Sequence, residues 1–556
     1  MALHQSIKET FRRLEIDPHD EHNQKKAEDV FSKHPDAVFS VIKEEVNKTP
    51  STARQPAGSS QPHLTADPDW VNCVGEQRCT PLKKVKPQSL KDLVGIVSEA
   101  NKMKQRVRAV GSGHAFSDIA RTDSAILVNP ILLNRVSEVE SGLLRESARN
   151  QKLVHVQSGI TVQSFITELD NRGLALINMG GYTGQTISGT LSTGTHGSGI
   201  TFGPLASFAR SIVLVSESGT VYQIEPASGI TDPAKFSGII DGVDVVLKQD
   251  DEWFRAVLVA MGCMGVIYSF IMEVTEAFSV KELRTSTTWE KVKGSLAPSM
   301  WKPVPPVISA VDHFELVLNP YTQWFRNACV KVERTRLGEV PAEGKRQDWL
   351  SALLEQASID NAPDLIDFLN KIPFISPLVI DQAIMTLVET KPYIDKSFKI
   401  FSLGPANDIK AMALELHCDA KQCVPMIDKL LAVFQDEAKE HDWYMAGPLG
   451  VRFVAASDAF LAPEAGRMTC TIELDMLVGV TTGRELARHI KEKICGSDRT
   501  SARVHWGLDL DFVTKDDIRE WYPDFERWNK VYRELNSSGM FNNKFTDRMG
   551  ISIGNK

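Results

Sequence analysis

The stretch "NMGGYTGQTISGTLSTGTHGSG", Asn178 to Gly199, holds seven glycines, five threonines and three serines, with almost no apolar bulk. Glycine loses more conformational freedom on folding than any other residue, so a run this dense inside a patterned domain needs a reason. One reading is a surface loop. The other is a backbone that wraps an extended, phosphate-bearing ligand, with amides and hydroxyls as donors. A second stretch supports the wrapping: "RVRAVGSGHAFSDIARTD", Arg106 to Asp123, runs from a strand-like segment into two glycines and then His114. It begins like G-x-G-x-x-G, but Phe116 stands at the third glycine and the following segment is too short for a dinucleotide-binding βαβ unit. The two glycines still let backbone amides approach an anion closely.

The surrounding pattern is regular α/β from Asp69 onward. In "SLKDLVGIVSEANKMKQ" Ser89 is the N-cap candidate, Asp92 follows three residues on, and Leu90, Leu93, Val94, Val97 and Ala100 share one helical face. Strands are expected at "RVRAV", "LVHVQSG", "GCMGVIYSFIMEV", "HFELVLN" and "AMALELHC", a hairpin at "SIVLVSESGTVYQIE", and helices at "TVQSFITELDNRG", capped by Thr161, and "QCVPMIDKLLAVFQDEAKEH". The first fifty residues read as charged and helical, and Thr49 to Pro68, rich in Pro, Ser, Gly and Ala, reads as a linker. This gives three segments: a helical N-terminal extension with linker (1–66), a cofactor domain (67–276) and a substrate domain (277–556). Residues 1–66 are a candidate surface for a protein partner or self-association.

Bulk properties exclude several classes. A length of 556 residues implies more than one domain, and a net charge of −8 argues against nucleic acid as the main ligand. No apolar run reaches the roughly 18 residues a membrane span needs, and the N-terminus lacks an apolar signal core, so a soluble, cytoplasmic protein is expected. Eight cysteines in this length do not form a secreted disulfide framework. His417, Cys418 and Cys423 in "HCDAKQC" lack a second ligand pair at zinc spacing, so they read as structural and no metal site is expected.

Together with "GCMGVI" and the C-terminal "RVHWG", "WYPDFERW" and "NSSGMFNN", the two glycine segments resemble the vanillyl-alcohol-oxidase type of FAD enzymes. Within it they are similar to the branch of L-gulonolactone, D-arabinonolactone and alditol oxidases. The resemblance implies an α+β fold: a two-subdomain PCMH-type FAD-binding domain, then a mixed α/β substrate domain whose residues 503–556 return to the FAD. It implies that His114 is bonded to the flavin, with Gly111, Ser112, Gly113, Ala115 and Ser117 around the pyrophosphate. It places Gly181, Ser188, Gly189, Ser192, Thr193, Gly194, Thr195, His196 and Gly197 on the cofactor, and Val266 and Ile267 by the adenine. Gly180 would leave a gap that admits oxygen.

The implied reaction is dehydrogenation of a CH–OH group of a sugar-derived lactone or polyol, a small-molecule alcohol, with molecular oxygen as acceptor and hydrogen peroxide as product. Family members supply Glu-x-Arg from a strand and a Lys after "HWG". Here Arg452 is present, but Gly450 stands at the Glu position and Leu508 at the Lys position. The expected consequence is a smaller, less polar pocket. Proton transfer would fall to Glu415, Glu473 or His505 beside Arg452, and Asp458 is a candidate ion-pair partner for that arginine. A less polar secondary-metabolite alcohol as substrate, or an FAD-binding scaffold without turnover, are the alternatives.

Overall fold

The computed structural model describes residues 70–296, 304–322, 326–344, 362–389, 391–403, 411–495 and 502–552, with Lys8, Glu9, Ala37, Ser40 and Val41. The expected helical extension and linker of 1–66 lie almost wholly outside the described residues.

The cofactor half is built on two sheets. Three parallel strands, Lys83–Val85, Ile126–Val128 and Val107–Ala109, pair with Ile126–Val128 in the middle. The helix Leu90–Lys102 starts where the sequence places it: the Ser89 side chain accepts from the Asp92 amide, and Leu90, Leu93, Val97 and Ala100 are buried. The second sheet has seven strands, with the hairpin Ala209–Val215/Val221–Glu225 and the strand Val266–Glu273 at its centre. Thr161 caps the helix Val162–Asp170 by accepting from the Ser164 amide.

The substrate half holds an eight-stranded sheet in the order Tyr393–Lys396, Ser279–Thr288, Ala328–Leu337, His313–Leu318, Leu449–Val454, Thr469–Leu477, Ala411–Asp419, Ala502–Val504. Register decides what each face carries, because neighbours in register share a face and successive residues alternate. Leu414, Leu416, Val451, Phe453, Ile472 and Leu474 are 0% exposed and join Ile427, Leu430, Leu486 and Ile490 of the helices Cys423–His441 and Thr481–Cys495 in one core. The opposite face carries Glu315, Arg452, Thr471 and His417 in one register row, and Gly450, Glu473 and Glu415 in the next. So polar a face on a central sheet marks the side turned toward function.

The C-terminal segment clamps back onto the cofactor half. Arg108, 1% exposed, donates to the carbonyls of Ile119, Met261, Gly262 and Phe541. The Asn543 side chain donates to Ile119 and Arg121, and Gly507 O accepts from the Phe116 amide. Arg108→Leu takes the donor from the Met261, Gly262 and Phe541 carbonyls, while Ile119 keeps Asn543, and unpaired buried groups cost about 1–3 kcal/mol each. The expected result is a loss of roughly 3 kcal/mol or more in a denaturant melt.

Candidate cofactor cleft and active site

A cleft with about 950 Å³ of empty space opens where the three-stranded sheet, the glycine-rich segment and the returning C-terminal segment meet. It is lined by Gly111, Ser112, Gly113, His114, Ala115, Gln185, Ser188, Gly189, Ser192, Thr193, Val266, Ile267, His505, Gly507 and Leu508, among others. Two glycines show why side chains are excluded. A Cβ on Gly111 would stand 2.0 Å from Thr186 Oγ1, and one on Gly265, at φ +145°, would stand 2.6 Å from the Val215 carbonyl. Gln185 lines the cleft with a buried Oε1 that has no hydrogen-bond partner. A cleft with small-residue walls and an unused polar atom fits an extended dinucleotide.

The sequence-predicted cofactor residues divide into two groups. Gly111, Ser112, Gly113, His114, Ala115, Ser188, Gly189, Ser192, Thr193, Val266 and Ile267 line the cleft. Ser117, Gly180, Gly181, Gly194, Thr195, His196 and Gly197 do not. The Ser117 hydroxyl is instead spent on the Trp506 carbonyl at 3.0 Å, which pins the C-terminal turn. Gly181 and Gly194 are pressed against Leu403 and Pro463 of the substrate half, and Gly197 against Asn178. His196 turns away to Glu415, with its Nε2 3.1 Å from Oε1.

His114 is half-buried, its Nδ1 2.9 Å from Ser112 Oγ, which leaves Nε2 for other chemistry. Burial lowers its pKa, so the ring is held neutral and nucleophilic.

Beyond the cleft lining, which has Leu508 at the expected Lys position, the eight-stranded sheet presents a polar face. Arg452 does not pair with Asp458: its Nη1 lies 2.6 Å from Glu473 Oε2 and 3.7 Å from Glu415 Oε1. Glu473 is directly opposite Gly450 in register. A Cβ built on Gly450 would lie 3.8 Å from Glu473 Cβ and 3.9 Å from its Oε2, which is ordinary contact distance. A carboxylate, Glu473, thus stands on the adjacent strand opposite position 450. Burial would raise the pKa of Glu315, but Arg334 and Arg452 outweigh it and pull the carboxyl down to about 2. Asp475, two residues beyond Glu473 on the same face, is pushed well up by burial and by Glu473. Sequence reasoning missed it, because an Asp in an alternating strand reads as solvent-facing.

His505 is 6% exposed and lines the cleft, and burial pushes its pKa down to about 4. The Gly507 amide donates to its Nδ1 at 3.1 Å, so the proton of the neutral ring sits on Nε2 and the ring acts as a donor. Glu415 is engaged by both His196 and His417, the latter with Nε2 3.4 Å from Oε2. Burial would lower the pKa of His196, but Glu415 holds it up to about 9. His417, read from sequence as structural, thus joins a charged cluster beside the site.

Cleft, sheet and clamp define a two-domain flavoprotein that holds FAD in the first domain and covers it with the second. Comparison with known proteins agrees. Residues 81–225 match the family described as FAD binding domain, and residues 272–549 match the D-arabinono-1,4-lactone oxidase family. The chain belongs to the D-arabinono-1,4-lactone oxidase family and is an FAD-dependent oxidoreductase acting on CH–OH donors. It is 25% identical over 482 residues to L-gulono-1,4-lactone dehydrogenase of Mycobacterium tuberculosis, covering 87% of this chain and 99% of the relative. It is 23% identical over 500 residues to L-gulonolactone oxidase of Bos taurus, covering 86% and 97%. Its fold is shared with cholesterol oxidase from B. sterolicum, at a TM-score of 0.66 and 14% identity over 89% of this chain and 99% of that one. No helix among the described residues is long and apolar enough to cross a membrane.

Proposed function

We propose that the protein oxidises a secondary alcohol of a sugar-derived lactone or polyol and passes the electrons to oxygen, giving hydrogen peroxide. The carrying observation is Arg452, fixed between Glu473 and Glu415, the latter carboxylate lying within electrostatic reach of His505 at the cleft. Bound FAD supplies the two-electron acceptor. The chain's residues do the rest. His114 is the proposed tether, and the glycine segments cradle the phosphates. Glu473, held by Arg452, takes the hydroxyl proton, while His505 Nε2–H donates to the substrate oxygen and orients it. Glu415 anchors Arg452 from behind. The charged face supports a hydroxylated substrate over an apolar alcohol. The names of the relatives support an aldonolactone.

Oxygen as acceptor rests on the family resemblance, since Gly180 does not line the cleft. A Cβ there would stand 3.1 Å from the His196 carbonyl and from Thr195 Cγ2, so any larger residue crowds this point. We place the domain boundary at 276/277, just before the strand Ser279–Thr288 enters the eight-stranded sheet. The seven described cysteines are free thiols, which supports a reducing compartment such as the cytoplasm. Oxygen-free protein mixed with aldonolactones and alditols is expected to bleach, then to recover its colour in air with one peroxide per product. A protein that stays yellow with every candidate is a scaffold. One that recovers quickly with a dye but slowly in air is a dehydrogenase.

A further inference from the structure

Behind His505, four side chains from three segments close on one another with no solvent among them. His196, Glu415, His417 and Glu464 are 6%, 3%, 0% and 0% exposed. The geometry points to a site for a zinc-like divalent transition-metal ion, with His196 Nε2, His417 Nε2 and the Glu415 carboxylate as ligands and Glu464 as the outer partner of His417.

The three ligand atoms lie within 4.8 Å of one another. The ligand contacts measure 3.1 Å (His196 Nε2 to Glu415 Oε1) and 3.4 Å (His417 Nε2 to Glu415 Oε2). Metal bonds of about 2.0–2.2 Å in a tetrahedral site put neighbouring ligand atoms roughly 3.3–3.6 Å apart, close to this spacing. Glu415 Oε1, both ring nitrogens of His417 and both Glu464 oxygens, although close to a partner, make no aligned hydrogen bond. The second ring nitrogens point outward: His196 Nδ1 is 2.8 Å from the Gly197 carbonyl and His417 Nδ1 is 3.2 Å from Glu464 Oε1. Metal-ligating histidines characteristically give their other N–H to a carbonyl or carboxylate, which fixes the tautomer with Nε2 free to ligate.

Charge agrees. Once both imidazoles give up a proton to ligate, the two buried carboxylates leave two negative charges, which one divalent cation cancels in place of the two protons. Imidazole ligands favour zinc-like ions over magnesium or calcium. Three protein ligands leave a position for water. Because His196 belongs to the glycine-rich segment and Glu415 and His417 to the eight-stranded sheet, the ion would staple cofactor half to substrate half.

The test uses flavin-loaded protein, stripped with a chelator and titrated with Zn²⁺ and Co²⁺ by calorimetry and absorbance. A second grouping, Glu437, His441 and His489, has one exposed and one half-exposed histidine, so every titration is run in a His489→Asn background. The expected result is one equivalent bound, a visible tetrahedral Co²⁺ spectrum and a raised melting temperature. His417→Gln should abolish the spectrum, and Glu464→Gln, which leaves all three ligands in place, should weaken binding roughly 10–100-fold. If His417→Gln fails to hold flavin, Glu464→Gln alone decides. No uptake by the parent protein, or uptake that the decisive variants leave unchanged, overturns the assignment and leaves a proton-held ion cluster.

Discussion

Protein carrying His114→Ala is expected to leave a denaturing gel dark under ultraviolet light, where the wild-type band fluoresces. The proposal behind it is a bond from the His114 imidazole to the flavin. His114 lines the cleft, Ser112 engages one ring nitrogen, and burial keeps the ring neutral so that the other can act as a nucleophile. The variant keeps every glycine of the cradle, so it is expected to fold and to take up FAD reversibly, with the native protein still yellow. A covalent tether also changes the cofactor's electron affinity, so turnover in the variant should fall by about tenfold or more, the rate equivalent of 1.4 kcal/mol in barrier. A wild-type band that is dark after acid precipitation would remove the covalent assignment while leaving the cleft intact.

The second large effect concerns the carboxylate opposite Gly450. Glu473→Ala should lower kcat by about 10²–10⁴-fold, the range expected for loss of a positioned general base. Arg452 then keeps Glu415 and Glu315 as counter-charges, so the fold is expected to survive. Restoring the carboxylate from the other strand, as Gly450→Glu in the Glu473→Ala background, should recover much of the loss. Space exists for it, since a Cβ at 450 meets nothing closer than 3.8 Å. If Glu473→Ala retains full kcat, the proton leaves by another group. The first alternative is Asp475: burial still raises its pKa, but in Glu473→Ala the neighbouring charge that raises it further is gone, which favours the ionised carboxylate a base needs.

Several elements were legible in the sequence because their causes are local. Ser89 and Thr161 cap the helices they precede, and the hairpin and strands alternate as written. The glycine-rich stretch announced a cradle, because few backbones other than a ligand-wrapping one need so many residues without side chains. Glu415, Glu473 and His505 were legible as candidate acids and bases, but their partners were not, because the meetings of Arg452 with Glu473 and of His417 with Glu415 join residues distant in sequence or in separate register rows. Ser117 illustrates the converse: the right segment was found, but its hydroxyl faces the Trp506 carbonyl and not the cleft.

By itself the sequence determined the cofactor half: where the chain turns, where it must lack side chains, and which histidine stands at the cleft. These depend on backbone conformation, which is set by the residue and its nearest neighbours. Only the tertiary structure decided that Glu473 fills the place opposite Gly450, that Arg452 binds it, and that His196 meets Glu415 and His417. Those meetings depend on strand register between distant segments. A slip of one residue would turn Glu473, Arg452 and Glu415 into the core and bring leucines to the site.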